Sequence, residues 1–454
     1  MRIIVAGAGK VGSRLIRVLA SDGHDVTLID NDNQALQSVC EQYDVLGLEG
    51  NCASMQVLKD AGIEQTELLI AVTNADEINL LCCVTGKKLN PELHTVARIR
   101  NPEYTDQVYD MQDVFGLSLI VNPEKDAAHE IEQLLKYPGF LQRDSFARGR
   151  AEIVEIEVSQ GSALAGRPMK DITEIVKRQV LVCAAIRDGK ALMPKGGFVP
   201  QAGDRLFLAA TSRDLRPLLK NLNIISRKVK RVMLCGGGKI SYYLAEALEK
   251  SDIRAEIIDK DEERCQELSR LLPETTVILG DASEPDTLMK EGLDDCDSLV
   301  ALTGLDELNV LLSLFAKNHG VPQVITKQGH SEALGEIAVK LSLGSIISPK
   351  EICCDTIVRY VRSMRDQSGA TAVTVQTIAD GKVEASEFII NKDSLHRGEA
   401  LKDLPIKEDV LVAAISRGRS TRIAGGLSSY EEGDSVIVIS GGEEPVCRFN
   451  DIFQ

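Results

Sequence analysis

The chain contains 454 residues, of which 44% are hydrophobic and 26% are charged, and these fractions exclude a disordered chain and a fibre. Asp and Glu outnumber Lys and Arg by 68 to 52, which gives a net charge of −16. Polyanions repel such a chain, so we expect neither nucleic-acid binding nor electrostatic docking on anionic lipid. No apolar run is long enough to predict membrane insertion, and the first residues do not resemble a signal peptide. We therefore expect a cytosolic protein whose 11 cysteines are reduced and mostly buried.

Six short apolar runs alternate with segments of helical spacing in residues 1–123. The runs are IIVAGA, DVTLID, DVLGLEG, LLIAV, HTVARI and LSLIVN. Apolar strands alternating with helices predict a parallel sheet that is covered on both faces. Six such strands predict a doubly wound Rossmann domain.

A connecting helix is predicted next, in the region 124–149. Asn122 is a capping residue in front of Pro123, which suits the first turn of a helix. Ser348 and Pro349 repeat this signal before a second connecting helix, at 349–368. The apolar positions of the two helices predict one buried stripe each, either between domains or on the helix's own domain; they are Ala127, Ile131, Leu134 and Leu135, then Ile352, Ile357, Tyr360 and Val361.

The pattern changes to strand-like alternation in residues 150–222 and again in 370–454. AEIVEIEVS and SEFIIN alternate apolar with polar residues, and GDRLFLAA and GDSVIVIS follow glycine turns. This pattern predicts a small α+β domain built on an antiparallel sheet in each segment. The polar, basic stretch at 221–230 is interpreted as a linker.

The chain is an internal duplication. MRIIVAGAGKVGSRLIRVLA at residues 1–20 recurs as KRVMLCGGGKISYYLAEALE at 230–249, and LLIAVTNADEINLL recurs as SLVALTGLDELNVLL. Such self-similarity indicates two tandem copies of one unit. The predicted fold class is therefore α/β, with Rossmann domains at 1–123 and 230–348 that are each followed by a small α+β domain.

A glycine-rich motif opens the first copy: Gly7, Ala8, Gly9, Lys10, Val11 and Gly12. It follows a predicted strand, begins a helix, and has Asp30 at the end of the next strand, which is the pattern of dinucleotide binding. Gly9 allows a pyrophosphate to approach the backbone at the helix N-terminus. The Asp30 carboxylate can accept both ribose hydroxyls and would repel a 2′-phosphate, which favours NAD(H) over NADP(H). The alternative is a glycine turn that serves packing only.

The second copy keeps most of this motif: Gly236, Gly237, Gly238, Lys239 and Ile240, then Ser241 in place of the third glycine. Asp259 is retained at the position of Asp30. Serine is small enough for close packing, so a second nucleotide site is predicted. The alternative is a degenerate copy kept for structural reasons.

Further polar residues follow the other predicted strands of each sheet, on the carboxyl edge where such folds bind ligands. They are Asn51 and Asp281 after the third strands, Thr73, Asn74 and Thr303 after the fourth, and Arg98, matched by Lys327, after the fifth. The polar residues after the third and fourth strands are equally expected as caps or turns. Arg98 is placed to meet a phosphate, a neighbouring chain or a structural acid.

Catalytic groups are missing from these patterns. None of His24, His94, His129, His319, His330 and His396 holds an equivalent place in both copies, and no P-loop or metal-spaced cluster occurs. Acidic pairs such as Asp76-Glu77 are expected to cap helices or face solvent. We therefore expect a nucleotide-binding protein that is not an enzyme, with an NAD-dependent dehydrogenase as the rival.

The chain resembles tandem regulator-of-potassium-conductance (RCK) domains, in the arrangement of the cytosolic subunits of bacterial Trk potassium uptake systems. The resemblance covers nearly the whole chain and is carried by GAGKVGSRLIRVLA, Asp30, GNCAS, GDAS, AVTNADEINLL and ARIRNPEY. It implies binding of NAD(H), with ATP or ADP as competitors. By position, the family's nucleotide contacts correspond to Gly7–Val11, Asp30, Thr73, Asn74 and Arg98, and then to Gly236–Ile240 and Asp259.

The resemblance also implies partners. Family members assemble as a homo-oligomeric gating ring beneath an integral membrane potassium transporter subunit of the TrkH or TrkG type, so a peripheral position on the inner face of the cell membrane is expected. A nucleotide sensor that controls a potassium efflux transporter is the other alternative.

Overall fold

The computed structural model describes residues 1–147, 149–222, 224, 228–329, 334, 337–338, 341, 343–365, 372–379, 381–441, 446 and 448–454. His330 and part of the expected linker at 221–230 lie outside the described residues. Within the described part of the chain, no helix combines the length and the apolar content needed to cross a bilayer.

The first copy begins with a parallel sheet covered by helices. Its elements are β1 (Arg2–Ala6), α1 (Lys10–Ser21), β2 (Asp25–Asp30), α2 (Asn33–Gln42), β3 (Leu46–Glu49), α3 (Met55–Asp60), β4 (Leu68–Ala71), α4 (Asp76–Leu89), β5 (His94–Arg98), α5 (Thr105–Asp110) and β6 (Leu119–Val121). The strand order is β3-β2-β1-β4-β5-β6, with parallel pairing throughout. The order reverses between β1 and β4, which opens a crevice at the carboxyl ends of these strands.

A connecting helix and a small antiparallel domain follow. Their elements are α6 (Pro123–Lys136), β7 (Gln142–Phe146), β8 (Ala151–Glu157), α7 (Ile172–Val176), β9 (Leu181–Arg187), β10 (Lys190–Leu192), β11 (Arg205–Thr211) and α8 (Leu215–Asn221). The sheet has the order β10-β9-β11-β8-β7. As the sequence predicts, α6 starts at a proline, and Asn122 Oδ1 caps it by accepting from Lys125 N at 3.0 Å.

The second copy repeats the doubly wound sheet. Its elements are β12 (Arg231–Cys235), α9 (Lys239–Glu249), β13 (Arg254–Asp259), α10 (Glu262–Leu271), β14 (Thr276–Leu279), α11 (Pro285–Lys290), β15 (Ser298–Ala301), α12 (Asp306–Asn318), β16 (Gln323–Lys327) and β17 (Ser345–Ile347). The strand order β14-β13-β12-β15-β16-β17 matches that of the first copy. The predicted fold class, a duplicated Rossmann unit with a small α+β domain after each, is confirmed.

The second small domain is likewise antiparallel. A long helix, α13 (Pro349–Arg365), precedes β18 (Ala372–Ile378), β19 (Val383–Ile389), β20 (Val410–Arg417), β21 (Ser420–Ile423) and β22 (Ser435–Ser440). The strand order is β18-β19-β22-β20-β21. Apolar side chains of the two small domains, among them Phe146 and Phe207 of the first with Ile378 and Ile437 of the second, form one cluster.

The connecting helices are exchanged between the copies. Helix α6 packs on α9 of the second Rossmann domain, and α13 packs on α1 of the first. Ile131 on α6 is fully buried in a core shared with Leu244, and Ile357 on α13 in a core shared with Leu15. Of the two arrangements that the apolar stripes allowed, the structure therefore has packing between units.

Candidate nucleotide-binding sites

The three glycines of the first motif meet different steric conditions. Gly7 has φ +113°, and a Cβ there would lie 3.0 Å from Thr73 N. A Cβ on Gly12 would lie 1.8 Å from Gly7 O, so this position needs glycine for helix–strand packing. A Cβ on Gly9 would meet nothing within 4 Å. The fold therefore requires Gly7 and Gly12, whereas the space above Gly9 is left open.

The N-terminus of α1 faces that space without a side-chain cap. Gly9 is the N-cap residue and makes no side-chain cap hydrogen bond, and the first turn holds no acidic residue. Lys10 is exposed and Val11 is buried. The first N–H groups of a helix have no partner within the helix and carry a positive partial charge, so they attract an anion such as a phosphate.

Asp30 links the glycine loop to the end of β2. Its Oδ2 accepts a hydrogen bond from Ala8 N, and its Oδ1 accepts from Asp32 N at 2.8 Å. Asp259 is held in the same way in the second copy, by Gly237 N and Asp261 N. Both carboxylates therefore have a defined position beside their glycine loops.

Ser241 replaces the third glycine of the second copy without disturbing the loop. The residue is fully buried, and its hydroxyl donates to Gly236 O. Gly236 has φ +108°, and a Cβ on Gly238 would meet nothing within 4 Å, as at Gly9. Gly238 also leaves the N-terminus of α9 without a side-chain cap, and Ile240 is buried. The second copy thus keeps the open, uncapped loop of the first.

The polar residues after the third and fourth strands make turn-type hydrogen bonds. Asn79 Oδ1 accepts from Thr73 N at 2.8 Å and from Thr73 Oγ1 at 2.7 Å, and Thr303 pairs with Asn309 in the same way. Asn51 Oδ1 accepts from Ala53 N at 3.0 Å, and Asp281 Oδ1 accepts from Ser283 N at 2.9 Å. These contacts position the edge of each crevice.

Arg98 is the buried cation at the edge of the first crevice. It is only 8% exposed; its Nη2 donates to Thr73 O at 2.6 Å, and its Nε has no hydrogen-bond partner. Burial, and then the neighbouring Arg100, lower the pKa of the Arg98 guanidinium. No carboxylate among the described residues forms an ion pair with it within 4.0 Å. The Arg98 guanidinium can therefore still donate a charge-assisted hydrogen bond to an anion.

Asp76 corrects a sequence-based expectation. The sequence predicts that Asp76 and Glu77 cap a helix or face solvent. Both lie in the first turn of α4 and Glu77 is exposed, but Asp76 is only 4% exposed. Its Oδ2 accepts from Arg100 N at 2.7 Å and from Asn101 N at 2.8 Å. It therefore ties the start of α4 to the loop after β5. Asp306 makes the matching bond to Gly329 N in the second copy.

Arg100 is a site residue that the motif comparison did not single out. Its Nη2 donates to Asn74 O at 2.6 Å, and its Nη1 lies 3.7 Å from Glu124 Oε1. Its Nε also lies 3.6 Å from Asp76 Oδ1. The signal was present as the second arginine of ARIR. The matching residue of the second copy is Gly329, so the second crevice has no arginine at this position.

Contacts between the copies surround these crevices. Tyr243 on α9 donates to Arg100 O at 3.1 Å and accepts from Asn122 Nδ2 at 3.1 Å. At the matching place on α1, Arg14 Nη2 lies 3.0 Å from Glu351 Oε2 of α13. The edge of the first crevice and the helix that follows its glycine loop are therefore each in contact with an element of the other copy.

Comparisons with known proteins identify the class of these domains. The TrkA-N domain model matches residues 3–123 and 232–349, and the TrkA-C domain model matches residues 153–223. The GsuK RCK domain has the same fold, with a TM-score of 0.62 at 18% identity, over 97% of this chain and 92% of that one. The GsuK channel bound to NAD also scores 0.62, at 17% identity, over 97% of this chain and 77% of that one.

Full-length relatives give the particular family. The Trk system potassium uptake protein TrkA homolog of Archaeoglobus fulgidus is 31% identical over 100% of both chains. The Trk system potassium uptake protein TrkA of Haemophilus influenzae is 30% identical over 100% of this chain and 99% of its own. The chain belongs to the TrkA family.

Proposed function

We propose that the chain is a nucleotide-binding regulatory subunit of a Trk-type potassium uptake system, which binds NAD(H), or ATP or ADP, and changes conformation on binding. The observation that carries this proposal is the open space over Gly9, at the uncapped N-terminus of α1 and with Asp30 beside the loop. A pyrophosphate suits the helix N-terminus, and ribose hydroxyls suit the carboxylate. Arg98 supplies a buried cation at the same edge.

In this proposal the bound nucleotide regulates the protein, whereas in the dehydrogenase alternative it would be a cofactor in catalysis. A ligand shifts a conformational equilibrium only through its different affinity for the two states. A phosphate that binds Arg98 also changes the electrostatic environment of the neighbouring Arg100. The backbone carbonyl of Arg100 accepts a hydrogen bond from Tyr243 of the other copy. Binding in one crevice thereby acts on the contact between copies. A tenfold preference for one state is worth about 1.4 kcal/mol for each site.

Assembly into a ring and docking on a TrkH- or TrkG-like subunit at the inner face of the membrane are the finer parts of the proposal. The relatives named above are potassium uptake proteins. Leu81 on α4 is 52% exposed, and the matching Leu311 on α12 is 61% exposed. Apolar residues exposed at equivalent places in both copies support contacts with further copies of the chain. The proposal also includes the domain boundaries that the sequence predicts, with one domain or connecting helix in each of the ranges 1–123, 124–149, 150–222, 230–348, 349–368 and 370–454.

Replacing Gly9 with Asp tests the site. Aspartate is a favourable N-cap residue, so its carboxylate should bond the N–H groups of α1 and take the place of a phosphate. Because Gly9 has room for a side chain, we expect thermal stability to be unchanged or slightly raised. Calorimetric titration of the full chain with NADH should show binding at the first copy lost.

Gly9→Ser is the matched control, because serine caps the helix without adding a negative charge. Asp30→Ala, which removes the ribose acceptor, should weaken NADH binding as well. An unchanged number of NADH sites per chain in Gly9→Asp would reject the assigned first site. NADH turnover with a small carbonyl substrate would favour the dehydrogenase.

The identity of the membrane partner needs a separate experiment. Co-purification from membranes should recover an integral potassium transporter subunit with this chain. Deletion of the chain should reduce potassium uptake and leave efflux unchanged. Loss of efflux control with normal uptake would support the efflux alternative.

A further inference from the structure

The two candidate sites differ at the third residue of the helix that follows the ribose-binding aspartate. This residue is Arg264 in α10 of the second copy, and Ala35 in α2 of the first. Arg264 Nε donates to Gly237 O at 2.7 Å, and its Nη1 bonds the Glu267 carboxylate. The side chain is 25% exposed. A guanidinium therefore lies against the glycine loop of the second copy, where the first copy has only a methyl group.

The loop carbonyl that Arg264 bonds has a different partner in the first copy. There, Ala8 O accepts from the hydroxyl of Ser13 at 2.8 Å, and the residue that matches Ser13 in the second copy is Tyr242. The same peptide is thus bonded by a neutral group of α1 in one copy and by a cation of α10 in the other. The difference changes the charge of the site while the loop hydrogen bond is kept.

The position of Arg264 relative to Asp259 shows which end of a nucleotide it would meet. Gly237 N donates to the Asp259 carboxylate, and Gly237 O accepts from Arg264, so both side chains hold one loop residue. Because that carboxylate suits ribose hydroxyls, the guanidinium lies at the adenosine end rather than the phosphate end. A planar guanidinium stacks on aromatic rings, and adenine offers such a face.

Building on the proposed nucleotide binding, we propose that Arg264 recognises the adenosine moiety and sets the specificity of the second site. The second site then gains affinity from the adenosine moiety that the first site lacks. The first site has Ala35 at this position. Both sites keep a cation after the fifth strand, Arg98 in the first copy and Lys327 in the second, so they differ in the guanidinium at the adenosine end. The two copies thereby differ in how strongly they recognise adenosine.

The test measures each site separately in the full chain. Gly9→Asp leaves only the second site, because the added carboxylate blocks the first loop; Gly238→Asp does the reverse. In the Gly9→Asp background, we expect Arg264→Ala to weaken AMP and ATP binding by the same factor, about tenfold. Arg264→Lys keeps the charge but not the planar group, so it should not restore binding. In the Gly238→Asp background, Ala35→Arg should tighten AMP binding.

Arg270→Ala is the matched control, because Arg270 is exposed on the last turn of the same helix. Calorimetry should give it the dissociation constants of the parent, and thermal unfolding should show that every variant is folded. The proposal is overturned if Arg264→Ala changes AMP affinity no more than Arg270→Ala, or if the loss grows with phosphate number. It is also overturned if Gly9→Asp abolishes all the nucleotide binding that the unaltered chain shows, because the second site would then bind nothing. That result would leave the proposed first site intact. If the unaltered chain binds neither AMP, ATP nor NADH, the proposed function falls with it.

Discussion

At the scale of single residues, the copies keep one loop geometry with different side chains. Gly237 replaces Ala8, and a Cβ at Gly237 would lie 2.9 Å from Leu268 Cδ1. The first copy has the smaller Val39 at the place of Leu268, which leaves room for the Ala8 methyl group. The methyl group missing at Gly237 is therefore compensated by the larger side chain of Leu268, as close packing requires.

Gly12→Ala should destabilise the first copy. The new Cβ would lie 1.8 Å from Gly7 O, so the helix must move away from the strand. Such overpacking costs about 1–3 kcal/mol, which denaturant titration would detect as a lower unfolding midpoint. Gly9→Ser is the control, since the space there is open, and it should stay within about 0.5 kcal/mol. Equal stability of the two variants would contradict this account of Gly12.

At the scale of elements, the exchanged helices join the two halves. Ile131 on α6 is fully buried among side chains that include Leu244 and Leu248 of α9. Asn122 both caps α6 and donates to Tyr243 of α9, so the start of the helix is held by the other copy. The small domains repeat one device in each copy, a buried aspartate paired with an arginine, at 2.6 Å for Arg187 and Asp204 and 2.7 Å for Arg417 and Asp434.

Ile131→Ala should therefore weaken the contact between copies. Loss of a fully buried isoleucine costs about 2–5 kcal/mol, because a cavity remains where the side chain was. Hydrogen exchange should show faster exchange at amides of both α6 and α9. The control is His129→Ala on the exposed side of α6, where the side chain is 71% exposed. Faster exchange confined to α6 would contradict a shared core.

At the scale of the whole molecule, carboxyl groups from both copies gather beside the exchanged helices. Burial raises the pKa of Glu130 to about 8, and the carboxyls of Asp144, Asp355 and Asp126 add to the rise. Burial also raises the pKa of Asp144 to about 7 and those of Asp126 and Asp355 to about 6, while Arg359 opposes the shift at all three. Asp355 belongs to α13, and the other three belong to the first copy. These groups face each other across the junction of the copies.

The pH dependence of stability follows from these shifts. Each folded-state pKa lies above the unfolded value, so the folded chain binds more protons and stability falls as pH rises. The stabilisation is complete below the usual carboxyl range and is lost as pH rises through the folded values of about 6 to 8. Glu130→Gln removes the largest of these pKa values. Its melting temperature should exceed that of the unaltered chain by about 2 °C or more at pH 8.5, and by less at pH 5.5.

A matched control is Glu103→Gln, because Glu103 is exposed and lies in the first Rossmann domain. It should leave the pH profile of the melting temperature unchanged. If the melting temperature of Glu130→Gln changes with pH in parallel with that of the unaltered chain, ionisation of Glu130 does not destabilise the junction of the copies.

The local parts of the fold and of the candidate site were predictable from sequence. The duplication, the strands of both Rossmann sheets, the helix starts at Pro123 and Pro349 and the two glycine loops depend on residue order and on backbone sterics. These act over a few residues, so periodicity and motif spacing report them directly. The requirement for glycine at position 12 is also local, because its Cβ would meet a carbonyl five residues back.

Only the tertiary structure decided which surfaces meet. An apolar stripe predicts that one face of α6 is buried, but not that α9 of the other copy covers it. The burial of Asp76, the contact of Tyr243 with Arg100 O, and the meeting of Arg264 with Gly237 O join residues 24 to 143 positions apart. Such contacts leave no periodic trace in the chain, because packing of distant segments rather than local conformation creates them.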